Sequence, residues 1–203
     1  MAGTALNYDS TQIQAGSPGQ LWTGLTVPAA AARITLDADG TPDATEHPNA
    51  VHLGMTREGS TLAITPTFES FFADEFAAPL KSRMTAVEMS ISCELLQTVD
   101  ITTLQKIMQG WGTYATGGAS TWDEIRVGQA AAMTYESVAL IFPLEADPTK
   151  FGVFNLYQAF VEGGLSAYQV SRKIMSGAAV TFKGTAITTR AATDTVGNYW
   201  KQT

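Results

Sequence analysis

His47 and His52 lie five residues apart with Glu46 alongside, and imidazole nitrogen with carboxylate oxygen can hold a divalent metal. The spacing fits neither zinc pattern, Pro48 intervenes and no third soft ligand accompanies them, so they read as surface or strand histidines. DADGTPD, from Asp37 to Asp43, has the acids of a calcium loop. Its Gly40 sits at the fourth position where such a loop needs the sixth, and Pro48 takes the place of the closing glutamate. Cys93, a possible nucleophile, falls on the apolar face of a strand pattern, which predicts a buried, inert thiol. Glu88 and Glu94 share a strand face, but six residues of extended chain hold them roughly 20 Å apart, too far for an acid–base pair. No GxSxG elbow, P-loop or GxGxxG stretch occurs. These residues predict no enzyme, no metal site and no cofactor. Trp22, Trp111, Trp122 and Trp200 could stack on a sugar or a base, yet they are scattered and read more simply as core or interface anchors.

The elements that carry these residues are mostly strands. Met1 to Gln20 lacks periodicity, contains Gly16, Pro18 and Gly19, and reads as an N-terminal arm, leaving residues 21–203 as one domain. Short strands are expected at Leu21–Val27 and Arg33–Leu36, the latter followed by the turn-rich DADGTPDATEHPN. Ala50–Leu53 and Ser60–Thr65 flank Gly59 and look like two strands meeting at a turn. Arg83–Leu95 is the clearest strand: Thr85, Val87, Met89, Ile91, Cys93 and Leu95 alternate with Ala86, Glu88, Ser90, Ser92 and Glu94. A helix is expected over Ile101–Gln109, with Asp100 as N-cap, Ile101, Leu104, Ile107 and Met108 on one face, and Gly110 as the left-handed cap. GWGTYATGGAST reads as a flexible loop. Further strands are expected near Glu124–Val127, Met133–Phe142, Phe151–Phe160, Tyr168–Met175 and Ala178–Ile187, with EADPTK as a solvated connection. The fold class is therefore mainly β, with one flanking helix at about 101–109.

Four phenylalanines, Phe68, Phe71, Phe72 and Phe76, crowd into nine residues among Glu69, Asp74 and Glu75. Their spacing alone is that of an amphipathic helix.

Hydrophobic residues make up 45 % of the 203, ample for a core, while only 15 % are charged. So little charge suits a surface largely buried against neighbours, or else an unusually Thr-rich monomer. The net charge of −7 argues against tight non-specific binding of nucleic acid. One cysteine excludes an intrachain disulfide. The longest apolar run, Val138 to Leu144, is too short to span a bilayer, and MAGTALNYDS lacks the layout of a signal peptide, so a soluble chain made in a cytoplasm is expected.

The order LWTGLTVP, RITLDADGTPD, AVHLGMTREGSTLAI, FFADEFAAPLKSRMTAVEMSISCEL, the capped helix and a late VTFKGTAITTRAATD resembles the major tail tube protein of long-tailed bacteriophages, from Trp22 to Asp194. A related tube fold serves contractile tails and type VI secretion. The resemblance implies a β-sandwich or barrel with one flanking helix, stacked as hexameric rings into a virion tail tube that conducts DNA. Partners would be other copies of the chain, the tape-measure protein, the tail terminator and the DNA in passage. It also implies an extended FESFFADEFAAPL, with Phe68, Phe71, Phe72 and Phe76 at a subunit interface. The lumen should be polar and net negative so that phosphates do not adhere, and Glu88, Ser90, Ser92 and Glu94 are its expected lining; an ordinary solvated sheet face is the alternative. The arm and the DADGTPDATEHPN loop, through Asp37, Asp39 and Asp43, are expected to bridge successive rings because neither would hold a fixed shape alone. Two rivals remain: a head–tail connector or other ring-forming tail protein, and a carbohydrate-binding β-sandwich.

Overall fold

The alternating pattern ending at Leu95 forms a strand over Lys81–Leu95, β3, whose residues Met89, Ile91, Cys93 and Leu95 are buried. The computed structural model describes residues 19–29, 32–71, 81–95, 101–109, 112–116, 123–128, 133–145, 147–166, 178–191 and 193–203. The other strands of the main sheet are β1 (Gln20–Thr23), β2 (Val51–Phe71), β6 (Glu136–Leu144), β7 (Asp147–Ser166), β8 (Ala178–Gly184) and β9 (Gly197–Lys201). A separate two-stranded sheet joins β4 (Gly112–Thr116) to β5 (Asp123–Val127), and one helix, α1, spans Ile101–Met108. The chain is mainly β with a single short helix among the described residues.

The seven strands run in the order β6-β1-β2-β3-β8-β7-β9, and β6 also pairs with β7. Six strands therefore close on themselves into an antiparallel barrel, with β9 attached along β7. Closure satisfies the edge N–H and C=O groups that an open sheet leaves free. Inside the barrel lie Leu21, Leu53, Ile91, Leu156 and Phe182, and Ile107 of α1 joins this core. The outward positions of β1, β6 and β7 carry a second core: Ala139, Ile141 and Val153 pack with Leu25 and Ile34 of the segment that runs from β1 to β2. Trp22 and Trp200 border it.

Several elements differ from the sequence expectation. Arg33–Leu36 is not a strand; it makes one isolated bridge, Leu36 to Pro42, and spends Ile34 on the second core. Ala50–Leu53 and Ser60–Thr65 are not a hairpin, because β2 runs unbroken through both. Gly59, with φ of 92°, sits where the β2–β3 register slips between Thr56 and Ser60. It makes a bulge where a turn was expected, since glycine accommodates an unpaired residue with positive φ. The loop GWGTYATGGAST contains β4. EADPTK is mostly strand: Leu144 pairs with Asp147, and Asp147 to Lys150 belong to β7. β9 has no alternation of its own and was missed. Met1–Pro18, Phe72, Asp74, Glu75, Phe76, Asp100, Gly110, Trp111, Trp122 and the expected strand Tyr168–Met175 lie outside the described residues.

Gln109 takes the left-handed conformation after α1, with φ of 44°, where Gly110 was expected to cap. Its side chain explains why. Val161 N donates to Oε1 at 2.7 Å and Nε2 donates to Ala159 O at 3.0 Å, while Thr134 N donates to its carbonyl at 3.0 Å. β6 stops pairing with β7 at Ala159, so the primary amide continues the ladder as a peptide would. Replacing Gln109 by Leu leaves a buried N–H and C=O unpaired, and should cost about 3 kcal/mol in urea unfolding. Ile91→Asp, which puts a charge at a fully buried site, should abolish folding. Val87→Asp, at a half-buried site beside the core, should leave a soluble and cooperative protein. Urea unfolding followed by circular dichroism checks all three.

Candidate functional site

Two surfaces of the barrel carry the expected site residues. The first is the outer face of β3 and its neighbours. Ser90 stands opposite Lys183, Ser92 opposite Thr181 and Glu94 opposite Ala179, while on the other side Thr65 faces Glu88. Lys183 Nζ lies 3.1 Å from Glu88 Oε2 and 3.3 Å from Glu162 Oε1, and Ser92 Oγ is 3.0 Å from Thr181 Oγ1. The Lys183 ammonium is held above its usual pKa, first by the hydrogen bond with Glu88 and then by that with Glu162. Glu88, Ser90, Ser92 and Glu94 are thus gathered on one hydroxyl-rich face, together with Glu162 and Lys183. Two of these carboxylates, Glu88 and Glu162, share the one ammonium of Lys183.

The second surface is a ribbon. β3 pairs with β8 only from Ser90 to Leu95, so Lys81–Met89 is bonded to β2 alone. With Thr65 to Phe71 it leaves the barrel as two strands. The opposed pairs Leu62–Ile91, Ile64–Met89 and Phe68–Met84 continue one apolar face from the buried core outward. Along it Ile91 and Met89 are buried, while Leu62, Ile64, Met84 and Phe68 are 37, 57, 55 and 60 % exposed. Phe71 is exposed on the other face, opposite Lys81, and Glu69 faces Arg83. The phenylalanine cluster is therefore strand as far as Phe71; its helical spacing is an accident of composition on an extended chain. Phe72 and Phe76 lie outside the described residues.

The Asp37–Asp43 loop does hold a fixed shape of its own, against expectation. Asp39 Oδ1 accepts from Thr41 N at 3.0 Å and Thr41 Oγ1 at 2.7 Å. Asp43 Oδ1 accepts from Thr45 N at 2.7 Å, and Asp37 N donates to Thr41 O at 2.8 Å. These bonds hold the Asp39 and Asp43 carboxyls below the usual range. Gly40, with φ of 83°, lies so close to Phe151 that a Cβ would overlap the ring. Asp37 and Asp39 remain exposed.

The other candidates are absorbed by packing. His47 is 5 % exposed and neither of its ring nitrogens has a partner among the described residues. His52 packs against Trp22 with ring centroids 4.8 Å apart and the planes tilted by 44°. Among the described residues no group of three or more His, Cys, Asp or Glu side chains is placed to hold a metal. Cys93 is buried, which pushes its thiol up to about 12. Trp22 and Trp200 are half-buried, and Arg33 covers the Trp200 ring, so neither offers a stacking platform. An open cleft of about 520 Å³ at one end of the barrel contains Lys106, Glu136 and Tyr157. Its charges are spent within the chain: Lys106 bonds Glu136 at 2.9 Å, and Tyr157 donates to Asp194, which pairs with Arg190 at 2.6 Å. Arg190 also donates to Pro28 O at 2.7 Å and stacks on the Tyr157 ring. This clamp ties residues near the C-terminus to the segment after β1. Nothing in the local sequence pattern signals it.

No helix among the described residues is long and apolar enough to cross a membrane. Comparison of the chain with protein-family models and with characterised proteins gives no match.

Burial holds the His47 and His52 imidazoles below their usual pKa, with Glu46 and then Asp43 partly opposing this at His47. A depressed histidine pKa means the fold favours the neutral ring. Stability is therefore full above the unfolded pKa and falls as pH drops from about 7 towards 5. Loss from Asp39 and Asp43 comes only at lower pH, because their folded pKa values are depressed below the carboxylate range. The His47→Leu variant should lose less stability than wild type between about pH 7 and 5, measured as urea midpoints.

Proposed function

We propose that the chain is a self-assembling structural subunit, the tail tube protein of a long-tailed bacteriophage, stacking as hexameric rings into a conduit for DNA. The observation that carries this reading is the ribbon. A two-stranded ribbon is marginal in water, and this one extends the core's apolar face beyond the barrel, with Ile64, Phe68 and Met84 left more than half exposed among the described residues. A second copy of the chain supplies that cover, and repetition of a heterologous contact makes rings and stacks. The outer face of β3, β8 and β7 supports the conduit role: its hydroxyls, and the two carboxylates that flank the single ammonium of Lys183, disfavour phosphate along a wall. In this reading Asp37 and Asp39 face a neighbouring ring, and the tape-measure protein and tail terminator bound the tube's length.

Purified protein at high concentration should form long tubes in electron micrographs. Replacing Ile64, Phe68 and Met84 together by Ser should leave a folded monomer that does not assemble, because all three side chains are exposed in the subunit. Single rings from the wild type would favour a connector instead, and a wild type that stays monomeric would sink the proposal. Changing Glu88 and Glu94 to Lys should preserve tubes yet make them retain DNA, with an attraction that weakens as salt rises. Tubes that release DNA as wild type does would remove these residues from the lumen.

A further inference from the structure

We propose that the seam between β7 and β9 is a binding site for ordered water, held by Asn155, Asn198 and Trp200. This is independent of the assembly reading. Asn155 is 0 % exposed, and neither its Oδ1 nor its Nδ2 has a hydrogen-bond partner among the described residues. Directly opposite in the ladder stands Asn198, whose Oδ1 is also buried and unpartnered. Trp200 lies two residues further along the same face of β9, and its Nε1 is a third such group. Together the three side chains present two acceptors and two donors within one stretch of a two-strand seam.

Folded chains seldom leave even one buried amide unpaired, because its desolvation is not repaid. Four unpaired buried atoms on three side chains that neighbour one another in the ladder match what a buried water requires, namely two to four polar partners. The inference does not depend on which end of the Asn155 amide is oxygen, since both ends lack a partner. Water fits better than a metal ion, because two neutral amides and an indole N–H offer no anionic ligand and one outright repulsive donor. Ala139, opposite Asn155 on β6, brings only a methyl group to the seam. Ala139 and Val153 close the site from water by packing with Leu25 and Ile34 in the second core. The backbone ladder from Gly152 to Leu156 already pairs with β9, so the water adds a side-chain fastening to the outermost strand.

The sign of one substitution separates a hydrated seam from a dry one whose amides stay unpaired. Leu at position 155 has nearly the shape of Asn. If the seam is dry, Asn155→Leu removes an unpaired amide and the Tm rises or holds. If the seam is hydrated, the Leu expels the water and strands Asn198 and Trp200, and Tm should fall by about 5 °C. A high-resolution crystal structure of the wild-type protein gives a second measurement that needs no variant. Density within about 2.7–3.2 Å of at least two of the three side chains is expected. Amides turned onto one another with no density between them would overturn the proposal.

Discussion

Everything in the barrel depends on β7 being hydrogen-bonded along both edges. Twenty residues long, it lies between β6 and β9 over its first half and reaches β8 over its second. A strand shared in this way turns an open sheet into a closed one, but only if its edge stays occupied where β6 ends. Gln109 occupies it. The helix is thus more than a cover on the barrel: the residue that follows it substitutes for a strand at the point of closure. The left-handed backbone at that residue places the amide, and two hydrogen bonds to buried backbone outweigh the modest strain of a non-glycine residue there.

The two outward surfaces answer to different forces. On the polar face, Lys183 lies between Glu88 and Glu162, all in contact with solvent. Such pairs contribute little to stability, so their effect is on the field the face presents. On the ribbon the dominant force is hydrophobic. Ile64, Phe68 and Met84 are more than half exposed, and each large apolar side chain that passes from water into a contact contributes about 1.5–3 kcal/mol. In the proposed assembly the ribbon would drive association and the polar face would tune it. A single strand, β3, belongs to both: Met84 and Met89 point one way while Glu88 points the other.

What the sequence made legible was what a regular period encodes. The faces of β3 could be read because Met89, Ile91 and Cys93 alternate strictly with Ser90, Ser92 and Glu94, and α1 because its apolar spacing is helical. Arg33–Leu36 misled because Ile34 and Leu36 alternate as in a strand, yet serve a segment that covers a sheet without joining it. β9 was invisible because Asn198 and Trp200 face a second core that no periodicity announces. The Arg190–Asp194–Tyr157 clamp and the Gln109 amide join residues far apart in the chain, and only the closed topology brings them together. The ribbon was half legible. Its aromatic residues showed that something apolar was needed there, but helix and strand templates both fitted them until the pairing with β3 was known.

The sealed environment of Cys93 has a practical consequence for chemistry done on this molecule from outside. With its thiol in the barrel core and its pKa pushed up to about 12, the chain's one cysteine is scarcely ionised at neutral pH and is shielded from reagents. Maleimide or iodoacetamide dyes should pass it by. A second cysteine introduced on the ribbon or the polar face would then be the sole reactive thiol. That allows a fluorophore, spin label or crosslinker to be attached at one chosen position while the native cysteine stays in place.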